Sequence, residues 1–148
     1  MREHQLTTSK NNQIKVVAES KEAVAHFADP ENHVGTILRQ INEERMYDPV
    51  FADSEDMTVL DLGANVGLFS LYAADSCERV VAVEAVPSTF RIAQEVTKDA
   101  KQIEMHQYAI SDKDADVSFY LNENSTTNSL VSHQGDEITV PGITVASL

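Results

Sequence analysis

The chain has a single cysteine, no tryptophan and fewer than half as many basic as acidic side chains, and each scarcity excludes something. Cys77 alone cannot close an intrachain disulfide or build a thiolate metal cluster within one chain, so a reducing cytoplasm is the expected setting. Eleven Lys and Arg stand against 24 Asp and Glu, a formal net charge of −13. Nucleic acid and anionic membrane are held mainly through Lys and Arg on phosphate, so neither is an expected partner. No stretch approaches the ~20 apolar residues that a membrane helix needs, and the first ten residues lack the apolar centre of a signal peptide.

What is present is enough for one domain: 148 residues, 42% of them hydrophobic. The charge is uneven. Residues 1–50 hold 6 basic and 8 acidic side chains, whereas residues 51–148 hold 5 and 16. The excess reads as a solvated acidic surface that keeps the protein soluble and would favour a cationic ligand.

Residues 1–13 are polar and read as a loosely held start, followed by a short strand at 14–18. Val34, Ile37, Leu38, Ile41 and Met46 recur at helical spacing up to Pro49, which predicts an amphipathic helix over 34–46. This N-terminal extension, residues 1–50, precedes a core over 51–148. Within the core, the apolar run 57–62 lacks alternation, as a central parallel strand does. A helix over 68–74, a second buried strand over 79–84, a helix from Ser88 to Ala100 and a third strand over 103–110 follow, which predicts a βαβαβ unit. Then a turn at 111–114 leads to strands over 117–121 and 138–145, a C-terminal hairpin joined by a polar loop at 122–135. Pro141-Gly142 inside the last strand predicts a bulge, a turn or a sheet edge.

The chemistry sits at the first strand–helix junction. Gly63 and Gly67 allow a sharp turn and a close ligand, Ala64 and Asn65 lie between them, and the amides opening the next helix suit an anionic group. Asn65 tolerates positive φ and can cap the helix. Asp61 ends the first strand where open α/β sheets bind ligands, and a carboxylate there attracts an ammonium group. Glu84 ends the second strand, 23 residues later, where a carboxylate accepts hydrogen bonds from ribose hydroxyls. A dinucleotide would place its pyrophosphate on this loop, but Asn65 and Leu68 stand where that fingerprint has glycine. A ribose, a carboxylate and an ammonium group together describe S-adenosylmethionine.

These residues carry a resemblance to a known family. Leu60-Asp61-Leu62-Gly63-Ala64-Asn65-Val66-Gly67-Leu68-Phe69-Ser70-Leu71-Tyr72 is its most specific block, supported by Val81-Ala82-Val83-Glu84-Ala85-Val86-Pro87, Tyr108-Ala109-Ile110-Ser111-Asp112, Phe119-Tyr120 and Asn128-Ser129-Leu130. Over about residues 57–148 the chain resembles the FkbM-type methyltransferases, a branch of the class I S-adenosylmethionine-dependent enzymes. The resemblance implies a Rossmann-like sheet, with S-adenosylmethionine as cofactor. It places Gly63, Asn65 and Gly67 along the methionine end, Asp61 near the amino group and Glu84 on the ribose, with Ala85 and Val86 flanking the adenine and the backbone of Ala109 at its edge. It also implies transfer to a hydroxyl oxygen of a small molecule or glycan, a direct displacement in which alignment carries the rate.

The sequence departs from that family where a fourth core strand ending in an Asp-x-Glu-Gly-like motif is expected, since no such motif occurs in these residues. The fold is thus expected to be the βαβαβ half of the family's sheet plus the hairpin, with the first strand left at an open edge for a second copy or a complementing chain. The alternative to an enzyme is therefore a half-domain that binds a partner through that edge; a nicotinamide-dependent oxidoreductase ranks third. No catalytic residue is identified. His26, His33, His106 and His133 lack metal-ligand spacing, and His106 reads as a packed or surface imidazole. Asp112, Asp114 and Asp116 lack the glycine and closing glutamate of a calcium loop, so no metal site is expected. Tyr47 and Glu43 are acceptor-contact candidates by position alone, and the polar run 125–129 reads as a solvated loop.

Overall fold

A computed structural model describes residues 2–7, 13–18, 37, 40–41, 44, 46–51, 56–121 and 136–148. Among these residues there are three small sheets. Strands β1 (Arg2–Thr7) and β2 (Gln13–Ala18) pair antiparallel, with Arg2 opposite Ala18 and Thr7 opposite Gln13. The polar start is therefore a strand rather than a loose end. An antiparallel partner satisfies the backbone whatever the side chains, and that partner is invisible to a local reading of polarity. Most of the helix expected over 34–46 lies outside the described residues, although Ile37, Gln40 and Ile41 are helical and Ile41 is buried.

The second sheet is parallel, in the order β3 (Thr58–Leu62), β4 (Arg79–Val83), β5 (Ile103–His106). Helix α1 (Leu68–Ala74) connects β3 to β4, and helix α2 (Pro87–Thr97) connects β4 to β5. This is the βαβαβ unit that the sequence predicts. Strand β4 lies in the middle because its residues suit burial on both faces: Val80, Val81, Ala82 and Val83 are all buried. Each fully buried valine contributes about 1.5–3 kcal/mol. Val59 and Val80 are register partners, as are Val80 and Ile103, so these three share the face whose core holds Ala73, Ala74 and the buried thiol of Cys77. Among the described residues β3 pairs only with β4, so its outer edge is open. Leu60 and Leu62 are 47% and 45% exposed on it.

Helix α2 begins one residue earlier than expected, with Pro87 in its first turn and no side-chain cap. Proline suits that place because its missing N–H has no helical acceptor to lose and its φ is already helical. The helix ends at Thr97 rather than Ala100, in a turn closed by the Ala100 amide on the Thr97 carbonyl.

The expected single strand over 103–110 divides. Its first part joins the parallel sheet, whereas β6 (Ala109–Ile110) crosses to a third sheet of order β6-β8-β7, with β7 (Asp116–Leu121) and β8 (Asp136–Ile143) antiparallel. The hairpin is present; its loop, 122–135, lies outside the described residues. Pro141-Gly142 neither turns the chain nor sits on an edge: it lies inside the central strand of this sheet. The reason is register. Pairing with β7 ends at Asp116 opposite Pro141, and pairing with β6 begins at Ala109 opposite Gly142, so proline stands where one ladder gives way to the other. Gly142 follows because a Cβ there would meet the Ala115 carbonyl oxygen at 2.5 Å. Ala85, Ala109 and Val140 form the small core beneath this sheet. Among the described residues, no helix is long and apolar enough to cross a membrane.

Candidate functional site

The junction of β3 and α1 opens into a cavity of about 270 Å³ whose lining includes Asp61, Gly63, Ala64, Asn65, Tyr47 and Phe69. The loop's shape comes from three positive φ values: Gly63 at 95°, Asn65 at 50° and Gly67 at 81°. Asn65 therefore does what the sequence expects of it in the backbone. It does not cap the helix, because Gly67 is the cap residue and no side chain bonds to the first turn.

The loop amides are largely committed within the protein. Gly63 and Ala64 both donate to the Val83 carbonyl, at 2.9 and 2.8 Å, and Gly67 donates to the Ala64 carbonyl at 2.8 Å. Asn65 donates its amide to Glu84 Oε2 at 2.9 Å. The loop thus takes up these four amides within the protein. Its amides bind it to the carboxyl end of β4, which makes loop and strand end one rigid unit.

Glu84 is the latch of that unit. Its Oε1 accepts from the Val86 amide at 2.9 Å while Oε2 holds Asn65, and only 8% of the residue is exposed. Burial pushes its pKa up; the amides of Val86, Asn65 and Ala85 pull it partly back, and the nearby Asp61 charge raises it further. A carboxylate has about four lone-pair sites, so with three amides on it acceptor capacity remains for a ligand hydroxyl.

Asp61 is also buried, and its Oδ2 accepts from the Ser70 hydroxyl at 2.5 Å. Ser70 is fully buried on α1, one helical turn after the loop. Burial raises the Asp61 pKa and the Ser70 hydrogen bond opposes the rise. Among the described residues Asp61 has no other side-chain partner, and no polar side-chain atom is both buried and unpartnered, so Oδ1 is reachable from the cavity. A buried carboxylate with one oxygen fixed and one free is a receptor for a cation.

The remaining expected residues fall around this centre. The Val86 amide supports Glu84, and the methyl groups of Ala85 and Ala109 pack into the core with Val140. His106 ends β5 next to the site: its carbonyl accepts the Glu84 amide at 3.0 Å, and its ring stacks on Tyr108 at 6.5 Å. Tyr47 reaches the cavity because residues 46–51 pack on α1 through aromatic rings, Tyr47 against Phe69 at 4.9 Å and Phe51 against Tyr72 at 5.4 Å. Tyr72 donates to Asp48 at 2.5 Å across the same contact. Glu43 and residues 125–129 lie outside the described residues. Asp114 clamps the C-terminal turn, accepting from the Thr144 amide and the Ser147 hydroxyl, and these bonds lower its pKa. Sequence reasoning missed Ser70; its only signal was a small polar residue on the helical turn that folds back over the strand end.

Comparison with known proteins identifies a family and several partial likenesses. A family model described as the methyltransferase FkbM domain matches residues 61–146. The AMB antimetabolite synthetase AmbE of Pseudomonas aeruginosa is 31% identical over 120 residues, which are 72% of this chain and 6% of that protein. The chain thus spans a small part of the curated relative it matches. Among solved structures, phosphoethanolamine N-methyltransferase 1 of Haemonchus contortus, in complex with phosphoethanolamine and S-adenosylhomocysteine, is 15% identical, with a TM-score of 0.42 over 62% of this chain and 22% of that one. Trm5b of Pyrococcus abyssi is 20% identical, with a TM-score of 0.43 over 74% and 32%. YcgJ of Bacillus subtilis is 18% identical, with a TM-score of 0.40 over 45% and 31%.

Proposed function

The chain belongs to the FkbM methyltransferase family, and we propose that it binds S-adenosylmethionine at the β3–α1 junction for methyl transfer to a hydroxyl oxygen of a small molecule or glycan. The observation that carries this reading is the pair of buried carboxylates. Asp61 keeps one oxygen free toward the cavity, suited to the ammonium group, and Glu84 keeps acceptor capacity beside the loop, suited to ribose hydroxyls.

The residues fit the group by their donor and acceptor chemistry. When bound, the cofactor supplies an electrophilic methyl on a sulfonium. The protein supplies position: the Glu84 latch fixes the loop, and Tyr47 and Phe69 wall the cavity against water. Among the described lining residues the ionisable groups are Asp61 and Tyr47, so alignment of acceptor and methyl is the main contribution this chain makes. The hydroxyl acceptor follows from the family resemblance described above.

Calorimetric titration with S-adenosylhomocysteine tests the reading. Folded protein should bind it, and Glu84→Ala should weaken binding by roughly tenfold or more through loss of a charge-assisted hydrogen bond. No heat with folded protein overturns the cofactor assignment; unchanged affinity in Glu84→Ala overturns the ribose role.

The exposed Leu60 and Leu62 on the open β3 edge favour a second reading that is compatible with the first, in which a complementing strand from another segment or chain covers this edge. Sedimentation velocity tests it, since a well-behaved active monomer of this chain would count against it.

A further inference from the structure

We infer that Ser70 is a positioning residue for the cationic end of the ligand, acting through Asp61 without touching the ligand itself. The inference rests on the S-adenosylmethionine reading above and adds to it a residue that no ligand contact would reveal.

The geometry is specific. Ser70 has no exposed surface, and its hydroxyl lies 2.5 Å from Asp61 Oδ2. Asp61 has no second side-chain partner among the described residues, so this one bond selects which oxygen is fixed and which faces the cavity. A hydroxyl that donates to a carboxylate favours the ionised form, and only that form attracts an ammonium group. The surroundings otherwise oppose ionisation. Burial raises the Asp61 pKa, and the charged neighbour at the adjacent strand end is the acidic Glu84, whose own pKa the Asp61 charge raises. Tyr47 shares the cavity, Ala82 is the apolar register partner on β4, and α1 presents only the neutral Ser70. Ser70 is therefore the one described group that holds this carboxylate in its binding form.

The test compares two probes: S-adenosylhomocysteine, which carries the amino-acid end, and 5′-methylthioadenosine, which has the adenosine without it. In wild type, affinity for S-adenosylhomocysteine falls at acid pH as Asp61 takes up a proton. In Ser70→Ala that fall moves to higher pH. The variant binds S-adenosylhomocysteine nearly as well as wild type at alkaline pH and increasingly less well, by about tenfold, as pH falls, while 5′-methylthioadenosine binds equally to both proteins. Equal binding of the second probe also shows that the variant is folded. Ser70→Thr against Ser70→Val repeats the comparison at equal volume should Ser70→Ala fail to fold, and the threonine should keep the wild-type profile. A Ser70→Ala profile that matches wild type, or equal loss of both probes, overturns the inference and leaves the cofactor reading standing. Wild type that binds neither probe overturns both.

Discussion

Gly67→Ala should destabilise this protein more than Gly63→Ala, by an amount set by one methyl group. Both glycines have positive φ, 81° and 95°, so either alanine meets the left-handed penalty of about 1–2 kcal/mol. At Gly63 nothing lies within 4 Å of the added Cβ, and the cost stops there. At Gly67 the new carbon would sit 2.8 Å from Thr97 Cγ2 and 3.6 Å from Ala93 Cβ. Thr97 cannot turn aside cheaply, because it is buried and its hydroxyl donates to the Ala93 carbonyl at 2.8 Å. Helix α2 must shift instead, an overpacking cost of about 1–3 kcal/mol. Gly67→Ala should then lose about 2–5 kcal/mol in all. Thr97→Ser removes the methyl and keeps the hydroxyl. In that background the Gly67→Ala cost should fall to that of Gly63→Ala, a coupling that urea unfolding of the single and double variants measures directly. Equal costs for the two glycines in wild type, or an undiminished Gly67→Ala cost in the Thr97→Ser background, would refute the packing argument.

Two other substitutions test the site and the third sheet. Asp61 has a raised pKa, so its contribution to stability is fully present below the unfolded value, near ~3.9, and is lost as pH rises through the folded value. Asp61→Asn removes that loss: thermal unfolding should show it more stable than wild type at alkaline pH, with the difference shrinking toward the unfolded pKa. The same variant should bind S-adenosylhomocysteine roughly tenfold or more weakly, for want of a charged acceptor. Stability gained without affinity lost would argue that Asp61 serves no ligand. Gly142→Ala places a Cβ 2.5 Å from the Ala115 carbonyl oxygen and 3.2 Å from both Ser111 Cβ and Val117 Cγ1. Backbone cannot yield as a side-chain end can, so a loss of about 2–3 kcal/mol or more is expected. A neutral result in denaturant would mean that Gly142 does not pack against Ala115 as described.

Much of the site was legible because it is encoded in local chain chemistry. The apolar run into Gly63, the return to a helix after Gly67 and the carboxylate at Glu84 are each visible within a few residues, since φ preferences and burial patterns are local properties. So is the readiness of Asn65 for positive φ, which the backbone realises at 50°. Hydrogen-bond partners were not legible in the same way. Nothing local says that the Asn65 amide meets Glu84, 19 residues away, instead of a ligand.

The same division runs through the whole chain. Periodicity and glycine placement determined the βαβαβ core and the glycine loop. Tertiary structure alone decided that residues 103–110 serve two sheets, that Pro141 lies inside a strand, and that the polar start pairs with β2. It also decided which oxygen of Asp61 faces the cavity, through a hydroxyl nine residues on. The physical reason is common to all four: strand pairing and buried polar contacts are properties of two segments meeting, and one segment's sequence states its own preferences without stating its partner.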